Sequence, residues 1–338
     1  MRKLINIIFI AVCFLGFISS KSFSQQKLAQ AGFDFLRVTS DARSGALGEA
    51  VNSLHGFSGA LFHNPASMGE MPTFLSASFS VNQWIADINH VTASLIVSPL
   101  DGNYGVIGFS LQAVDYGEVQ GTIVAPEGLG VDYIDTQILS PAAIAFGFGY
   151  SKMLNDKFSV GGQIRYAHQD LGESQIPDGD DTYTKKNEAS ALAYDFGTLY
   201  KLGIKSVAFG MSVRNFSTAV KFEEEDFQLP LTFNLGISAD LFDFLVMSGP
   251  EHSMLLSMDY SHPMSHPEQL KIGVEYNFIK AFFLRGGYIS GNSQDDFSFG
   301  VGFSGLGLNK NFGLEIDYSY TPFEWFDNVQ RFTIRYSL

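Results

Sequence analysis

The sequence predicts an all-β transmembrane barrel of about 14 antiparallel strands, and three observations predict it. Runs of roughly 9 to 11 residues alternate between apolar or aromatic side chains and small or polar ones, which is the period of a strand with two unlike faces. The 338 residues include 34 glycines and 14% aromatic side chains, against only 17% charged, where about a quarter charged is usual for a globular chain. Beyond the first 24 residues no apolar run reaches the roughly 18 residues of a helical span.

The alternation sets in at residue 73. Leu75, Ala77, Phe79 and Val81 alternate with Ser76, Ser78, Ser80 and Asn82, and Phe158, Val160, Ile164 and Tyr166 with Ser159, Gly161, Gln163 and Arg165. Leu270, Ile272, Val274, Tyr276 and Phe278 alternate with Lys271, Gly273, Glu275 and Asn277, and Phe312, Leu314, Ile316, Tyr318 and Tyr320 with Gly313, Glu315, Asp317 and Ser319. A soluble sandwich also alternates, but its solvent face is long and charged. Here the second face is rich in Gly, Ser, Ala and Asn, as suits a crowded lumen. Strands are expected at 73–84, 89–98, 104–115, 142–153, 158–169, 190–200, 206–216, 230–239, 252–261, 269–278, 282–290, 296–304, 311–320 and 330–338.

The connections agree with a barrel. Counted back from the C-terminus, long or acidic gaps (321–329, 291–295, 262–268, 217–229, 170–189, 116–141) alternate with mostly short ones, as external loops alternate with periplasmic turns. The gap 240–251 is long for a turn. An even strand number lets the first and last strands pair antiparallel, and closure leaves no backbone group unpaired in lipid. The chain ends on RFTIRYSL (331–338), with Phe332, Ile334, Tyr336 and Leu338 expected toward lipid and Arg335 toward the lumen. A terminal strand of this kind resembles the signal read by outer-membrane assembly machinery, although that signal usually ends on an aromatic residue rather than leucine.

The front of the chain differs. Arg2 and Lys3 precede an apolar run from Leu4 to Ile18 and then small residues through Ser24. Residues 1–24 read as a cleaved signal peptide, the run being short for an anchor helix of about 20 residues. Cys13, the sole cysteine, leaves with it, so disulfides, thiolate zinc sites and cysteine nucleophiles are excluded from the remainder. Removing Arg2, Lys3 and Lys21 takes the 21 basic residues to 18, against 35 acidic ones. So acidic a chain is no nucleic-acid partner. Residues 25–72 lack a period-two run, are rich in small residues and carry an Asn64-Pro65 turn. They read as an N-terminal hatch or plug ahead of a barrel at 73–338.

Few motifs invite chemistry. GVGFSG (300–305) satisfies the glycine spacing of a dinucleotide loop but alternates with Val301 and Phe303 inside a strand, not between strand and helix. His262 and His266 in HPMSH have helical ligand spacing, which Pro263 opposes. PDGDD (177–181) and EEED (223–226) read as solvated acidic rims, with weak divalent-ion binding as the alternative, although PDGDD lacks the ligand spacing and closing glutamate of a calcium loop. No Ser/His/Asp or paired-carboxylate constellation stands out, so the chain reads as non-enzymatic, with no metal and no cofactor. Arg165, Arg214, Arg285 and Arg335 are expected on the lumen face with Asp195, Asp259, Glu275, Glu315 and Asp317. They form either an ion-pair network that holds the hatch or an arginine cluster that meets an anionic ligand.

A family resemblance runs along nearly the whole chain after residue 24. FLRVTSDARSGALGEA (35–50) and HNPAS (63–67) are followed in order by NQWIADI (82–88), DYGEV (115–119), YDFGTLY (194–200), FGMSVRNF (209–216), LPLTFNLG (229–236) and FLRGGY (283–288). This succession resembles the PorV/PorQ family. The resemblance implies a FadL-like barrel of fourteen strands in the outer membrane, with a hatch motif at Asp41, Ala42, Arg43, Gly48, Asn64, Pro65 and Ala66. It implies an accessory or cargo-shuttle component of type IX protein secretion that docks through its loops and hatch, with a translocon subunit and cargo C-terminal domains as partners besides outer-membrane lipid. A FadL-like fold also suits a channel for fatty acids or other hydrophobic small molecules, and a hydrophobic ligand with it.

Overall fold

The structure, a computed structural model, describes residues 31–125, 130–178, 181–221, 226–244, 251–291, 297–307 and 313–338. The signal-peptide reading of residues 1–24 lies outside them, as do 179–180 of PDGDD and 223–225 of EEED. The strands are β1 (Leu75–Gln83), β2 (Asn89–Val97), β3 (Val106–Asp115), β4 (Val119–Val124), β5 (Tyr133–Leu139), β6 (Ala142–Asn155), β7 (Phe158–Asp178), β8 (Asp181–Lys201) and β9 (Ala208–Phe216). They continue as β10 (Val220–Lys221), β11 (Asp226–Phe227), β12 (Thr232–Asp240), β13 (His252–Pro263), β14 (Gln269–Phe278), β15 (Phe282–Ser290), β16 (Phe297–Ser304), β17 (Leu314–Thr321) and β18 (Val329–Ser337).

Fourteen of these close into one antiparallel barrel, and β4–β5 and β10–β11 form separate two-stranded hairpins in the long loops. Closure is made by β1 and β18, with Ser78 opposite Arg335 and Ser80 opposite Thr333. In β18 burial alternates without a break. Arg331, Thr333 and Arg335 are buried, while Phe332, Ile334 and Tyr336 are exposed on the outer wall. The physical cause is the period of two: one face has hydrocarbon for solvent, the other has the lumen filling.

The expected strands are all present, with ends within about three residues except in one hairpin. There the expected loop 170–189 is largely strand, because β7 and β8 each run for 21 residues. At about 3.3 Å per residue each is roughly 70 Å long, far more than a membrane crossing needs. Likewise His262 and Pro263 belong to β13, not to the loop that follows.

Residues 31–74 lie inside the barrel, descending from the long-loop end to the short-turn end. Ala31 bridges to Gln228 beside β12, and Phe74 leads into β1. Phe33, Phe35 and Leu36 pack on alanines of β6, β7 and β8, namely Ala143, Ala145, Ala167, Ala189, Ala191 and Ala193. Small lumen residues are what make room for these side chains, each worth about 1.5–3 kcal/mol on burial. Lower down, Leu47, Val51, Leu54, Phe57 and Ala60 form a second core, and Leu61 and Met68 pack on Ile96 and Val106 as a third.

Candidate functional site

The lumen-filling segment is built from short pieces. Asp41 caps a five-residue helix, α1 (Ala42–Ala46), by accepting from the Ser44 N–H at 2.8 Å and the Ser44 hydroxyl at 2.7 Å. Pro65 opens a 3-10 turn over Pro65–Glu70, and Asn64 caps it by accepting from Ala66 N–H at 3.1 Å. Proline suits a first turn because its missing N–H would be an orphan there anyway. The Asn64 amide also donates to the carbonyls of Asn52 and, across to the wall, Thr198.

Glycines set how closely the segment approaches the wall. Gly48 has φ +59°, and a Cβ there would lie 2.9 Å from the Tyr288 backbone nitrogen. The Gly48 N–H donates to Ser298 Oγ at 3.1 Å. A Cβ on Gly161 of β7 would come 2.6 Å from the Pro65 carbonyl carbon. Both positions require backbone against backbone, which only glycine permits.

Around α1 runs a continuous ion-pair chain. Arg43 donates to both oxygens of Glu275, at 2.9 and 2.8 Å. Glu275 also accepts from Arg285 at 2.6 Å, and Arg285 bonds Asp317 at 2.5 Å. Arg335 lies 2.6 Å from Glu315, 3.1 Å from Asp41 and 3.7 Å from Asp317. Arg43 and Arg335 flank the Phe57 ring, 4.7 and 5.3 Å from its centroid, a favourable cation–π placement. The N–H of Ala42 completes the seat by donating to Thr333 Oγ1 at 2.8 Å. Burial alone would raise the Asp41 carboxyl, but Arg335 and the two Ser44 donors outweigh it and hold it below its ordinary value. Burial, with Arg214 beside it, keeps His63 neutral down to about 3.

The expected lumen residues therefore divide. Arg285 and Arg335 join the chain around α1, whereas Arg165 pairs with Asp195 at 2.8 Å on the far side and also meets Asn215. Asp259 accepts from the Asn52 N–H at 2.8 Å. Arg214 belongs to none of these groups and donates to the Leu36 carbonyl at 3.2 Å. His262 and His266 turn to different partners, Glu268 at 3.3 Å and Arg37 at 3.3 Å. Arg37 and Glu49 escaped the sequence reading because nothing local marks them, and Lys271, on the polar face of its strand, was not grouped with the lumen charges. Lys271 reaches Glu49 at 2.6 Å across 222 residues of sequence.

Two larger spaces remain. At the long-loop end a vestibule of about 370 Å³ opens between the segment and the wall, lined by Asp34, Arg37, Glu49, Arg214 and Lys271 and by Trp84, Pro263, Ile289 and Phe323. On the outer wall, a recess of about 580 Å³ lies over β14–β17, lined by Val274, Tyr276, Leu284, Phe299, Val301, Tyr318 and Tyr320 around Gly286.

A closed barrel of fourteen strands with an aromatic outer face and a polar, self-filled lumen defines an outer-membrane β-barrel protein. Residues 131–328 match the family of the type IX secretion system membrane protein PorP/SprF, and the chain belongs to that family. Its place is the outer membrane, with the long loops outside and the short turns facing the periplasm. Among solved structures it is similar to the toluene transporter TodX of Pseudomonas putida (12% identity, TM-score 0.57, 92% of this chain and 98% of that one). It is also similar to a FadL homologue of Pseudomonas aeruginosa (12% identity, TM-score 0.55, 89% and 98%). At such identity the likeness is one of fold. No curated protein matches the chain in sequence.

Proposed function

We propose that this barrel is an accessory or cargo-shuttle component of type IX protein secretion, of the PorV/PorQ working type, that acts by docking. In this reading residues 1–24 are removed on export. Residues 25–72 are a hatch seated by Asp41, Ala42, Arg43, Gly48, Asn64, Pro65 and Ala66, and residues 73–338 are the barrel that carries it. A translocon subunit and cargo C-terminal domains engage the external loops and the hatch rim, and no bond is made or broken. Membership of a secretion-system family supports the setting. The observation that carries docking over conduction is the filled lumen: the hatch buries Phe33, Leu36, Leu47, Phe57 and Met68 almost completely and is bonded to strands on every side. The long β7–β8 and β4–β5 hairpins give the external face an extended surface for a partner.

The second reading is a channel for fatty acids or other hydrophobic molecules, favoured by the FadL-like fold and by the apolar recess on the wall. Against it, the space between hatch and wall carries Asp34, Arg37, Glu49, Arg214 and Lys271 among its apolar residues, a charged lining for a hydrocarbon path. Purification from detergent-solubilised outer membranes, with identification of what accompanies the protein, separates the two. A large translocon subunit or a secreted cargo is the result expected. A bound acyl chain with no protein partner would overturn docking in favour of transport.

A further inference from the structure

Three cations and two carboxylates face the vestibule at the external end of the lumen. Two of the cations are taken: Arg37 lies 3.3 Å from Asp34, and Lys271 lies 2.6 Å from Glu49. Arg214 is left over. Of its five N–H donors, one bonds the Leu36 carbonyl at 3.2 Å, and its Nε is buried without a partner. Among the described residues no carboxylate lies within 4 Å of it, whereas Arg165, Arg285 and Arg335 are each held by at least one. Arg165 and Arg37 add positive potential around it, which Asp195 and Glu49 offset only from beyond ion-pair distance. A half-buried guanidinium whose Nε has no acceptor and which has no carboxylate within ion-pair distance is an unmet demand that water serves poorly in a confined space.

We propose that the vestibule is a binding site for a carboxylate carried on a small apolar body, with Arg214 as the anion's partner. The planar fork of a guanidinium matches a carboxylate through two parallel N–H···O bonds. One free cation between two resident carboxylates accepts a single negative charge and disfavours a dianion such as a phosphate. The apolar part has its own surface. Trp84 and Phe323 meet edge to face at 5.7 Å, with Pro263 and Ile289 beside them. A volume of about 370 Å³ falls at the lower end of the roughly 300–1,000 Å³ typical of small-ligand sites, which fits one short group rather than a long chain. The carboxylate has two sources, the end of a polypeptide chain or a free organic acid. The inference rests on the vestibule alone, so failure to co-purify a secretion partner leaves it standing.

The sequence holds two tryptophans, and Trp325 is exposed on an external loop. Trp325→Phe therefore leaves Trp84 as a single fluorescent reporter on the vestibule wall. The full-length protein in detergent is titrated with N-acetyl-leucine and hexanoate, and with their neutral counterparts N-acetyl-leucinamide and hexanamide. Saturable changes are expected with the acids and at least tenfold weaker ones with the amides. Arg214→Gln should reduce the acids to the level of the amides, and Arg214→Lys should retain part of the difference, with heat-modifiable migration verifying that each variant is folded. Preference for N-acetyl-leucine points to a chain end, and preference for hexanoate to a free acid. Absence of a saturable response, equal response to acid and amide, or unchanged acid binding in folded Arg214→Gln would overturn the proposal.

Discussion

Arg335→Met is the sharpest test of how the hatch is held. Arg335 is 2% exposed and stands between the hatch carboxylate Asp41 and two wall carboxylates, Glu315 and Asp317. Removing one partner of a buried pair costs about 3–5 kcal/mol, because the remaining charge is left uncompensated. Here the loss should fall at the lower end. Asp317 keeps Arg285, Asp41 keeps the two Ser44 donors, and Glu315 is 26% exposed and so can rehydrate. About 3 kcal/mol corresponds to roughly a hundredfold rise in the population with the hatch undocked. The barrel's own ladder is untouched, since the methionine variant keeps the backbone pairs of this position to Ser78 and Glu315. Hydrogen exchange of the purified protein in lipid should therefore speed up for amides in 41–52 while the strands stay protected. Adding Asp41→Asn should recover part of the loss, since it removes the stranded charge. If exchange in 41–52 is unchanged, or if hatch and strands loosen together, the latch reasoning is wrong.

Three other outcomes follow from the same geometry. His63, surrounded by Arg214, Lys271, Glu49 and Asp41, stays neutral in the fold to about 3 but takes a proton near 6.5 when unfolded. Its contribution is thus complete above about 6.5 and fades as the pH falls from there toward 3, by up to ~1.4 kcal/mol per unit. Hatch amide protection should drop between pH 7 and 5, and His63→Gln should flatten that dependence. Adjacent glycines should behave oppositely: Gly287→Ala drives a Cβ into the Gly48 backbone and should cost about 1–3 kcal/mol, whereas Gly286→Ala, with nothing within 4 Å, should leave thermal stability unchanged. Phe299→Arg places a charge on a wall position that is 55% exposed and, near the bilayer midplane, should cost about 2–4 kcal/mol. It should be read as reduced assembly into outer membranes, with normal assembly counting against that depth.

The sequence made the membrane-crossing part readable because each strand there has two different solvents, and the apolar face repeats every second residue. The same rule explains where the reading stopped. Residues 170–189, GESQIPDGDDTYTKKNE at their centre, carry β7 and β8 above the membrane, where both faces meet water and alternation loses its cause. Backbone pairing, such as Glu173 with Lys186 and Ile176 with Tyr183, is the main thing that holds those strands, and backbone pairing leaves no mark in composition. Within the hatch the Asn64-Pro65 turn was legible, because it acts on its own neighbours. The partners that seat the hatch, such as Thr333 for Ala42 or Glu275 for Arg43, lie more than 200 residues away, and no local signal encodes them.

That limit falls most heavily on the four lumen arginines. On the sequence they are equivalent, each an isolated cation on a small polar face, and either role, holding the hatch or meeting a ligand, suits all of them. Pairing decides between the roles one residue at a time. A guanidinium already matched to a buried carboxylate would have to break that match to receive a ligand, leaving an unpaired anion behind at a cost of several kcal/mol. On this reasoning conservative replacements of Arg165, Arg285 and Arg335 should disturb stability before binding. Arg214 has no such partner to abandon. Its donors are the ones in this quartet whose engagement by an incoming anion carries no loss elsewhere in the lumen.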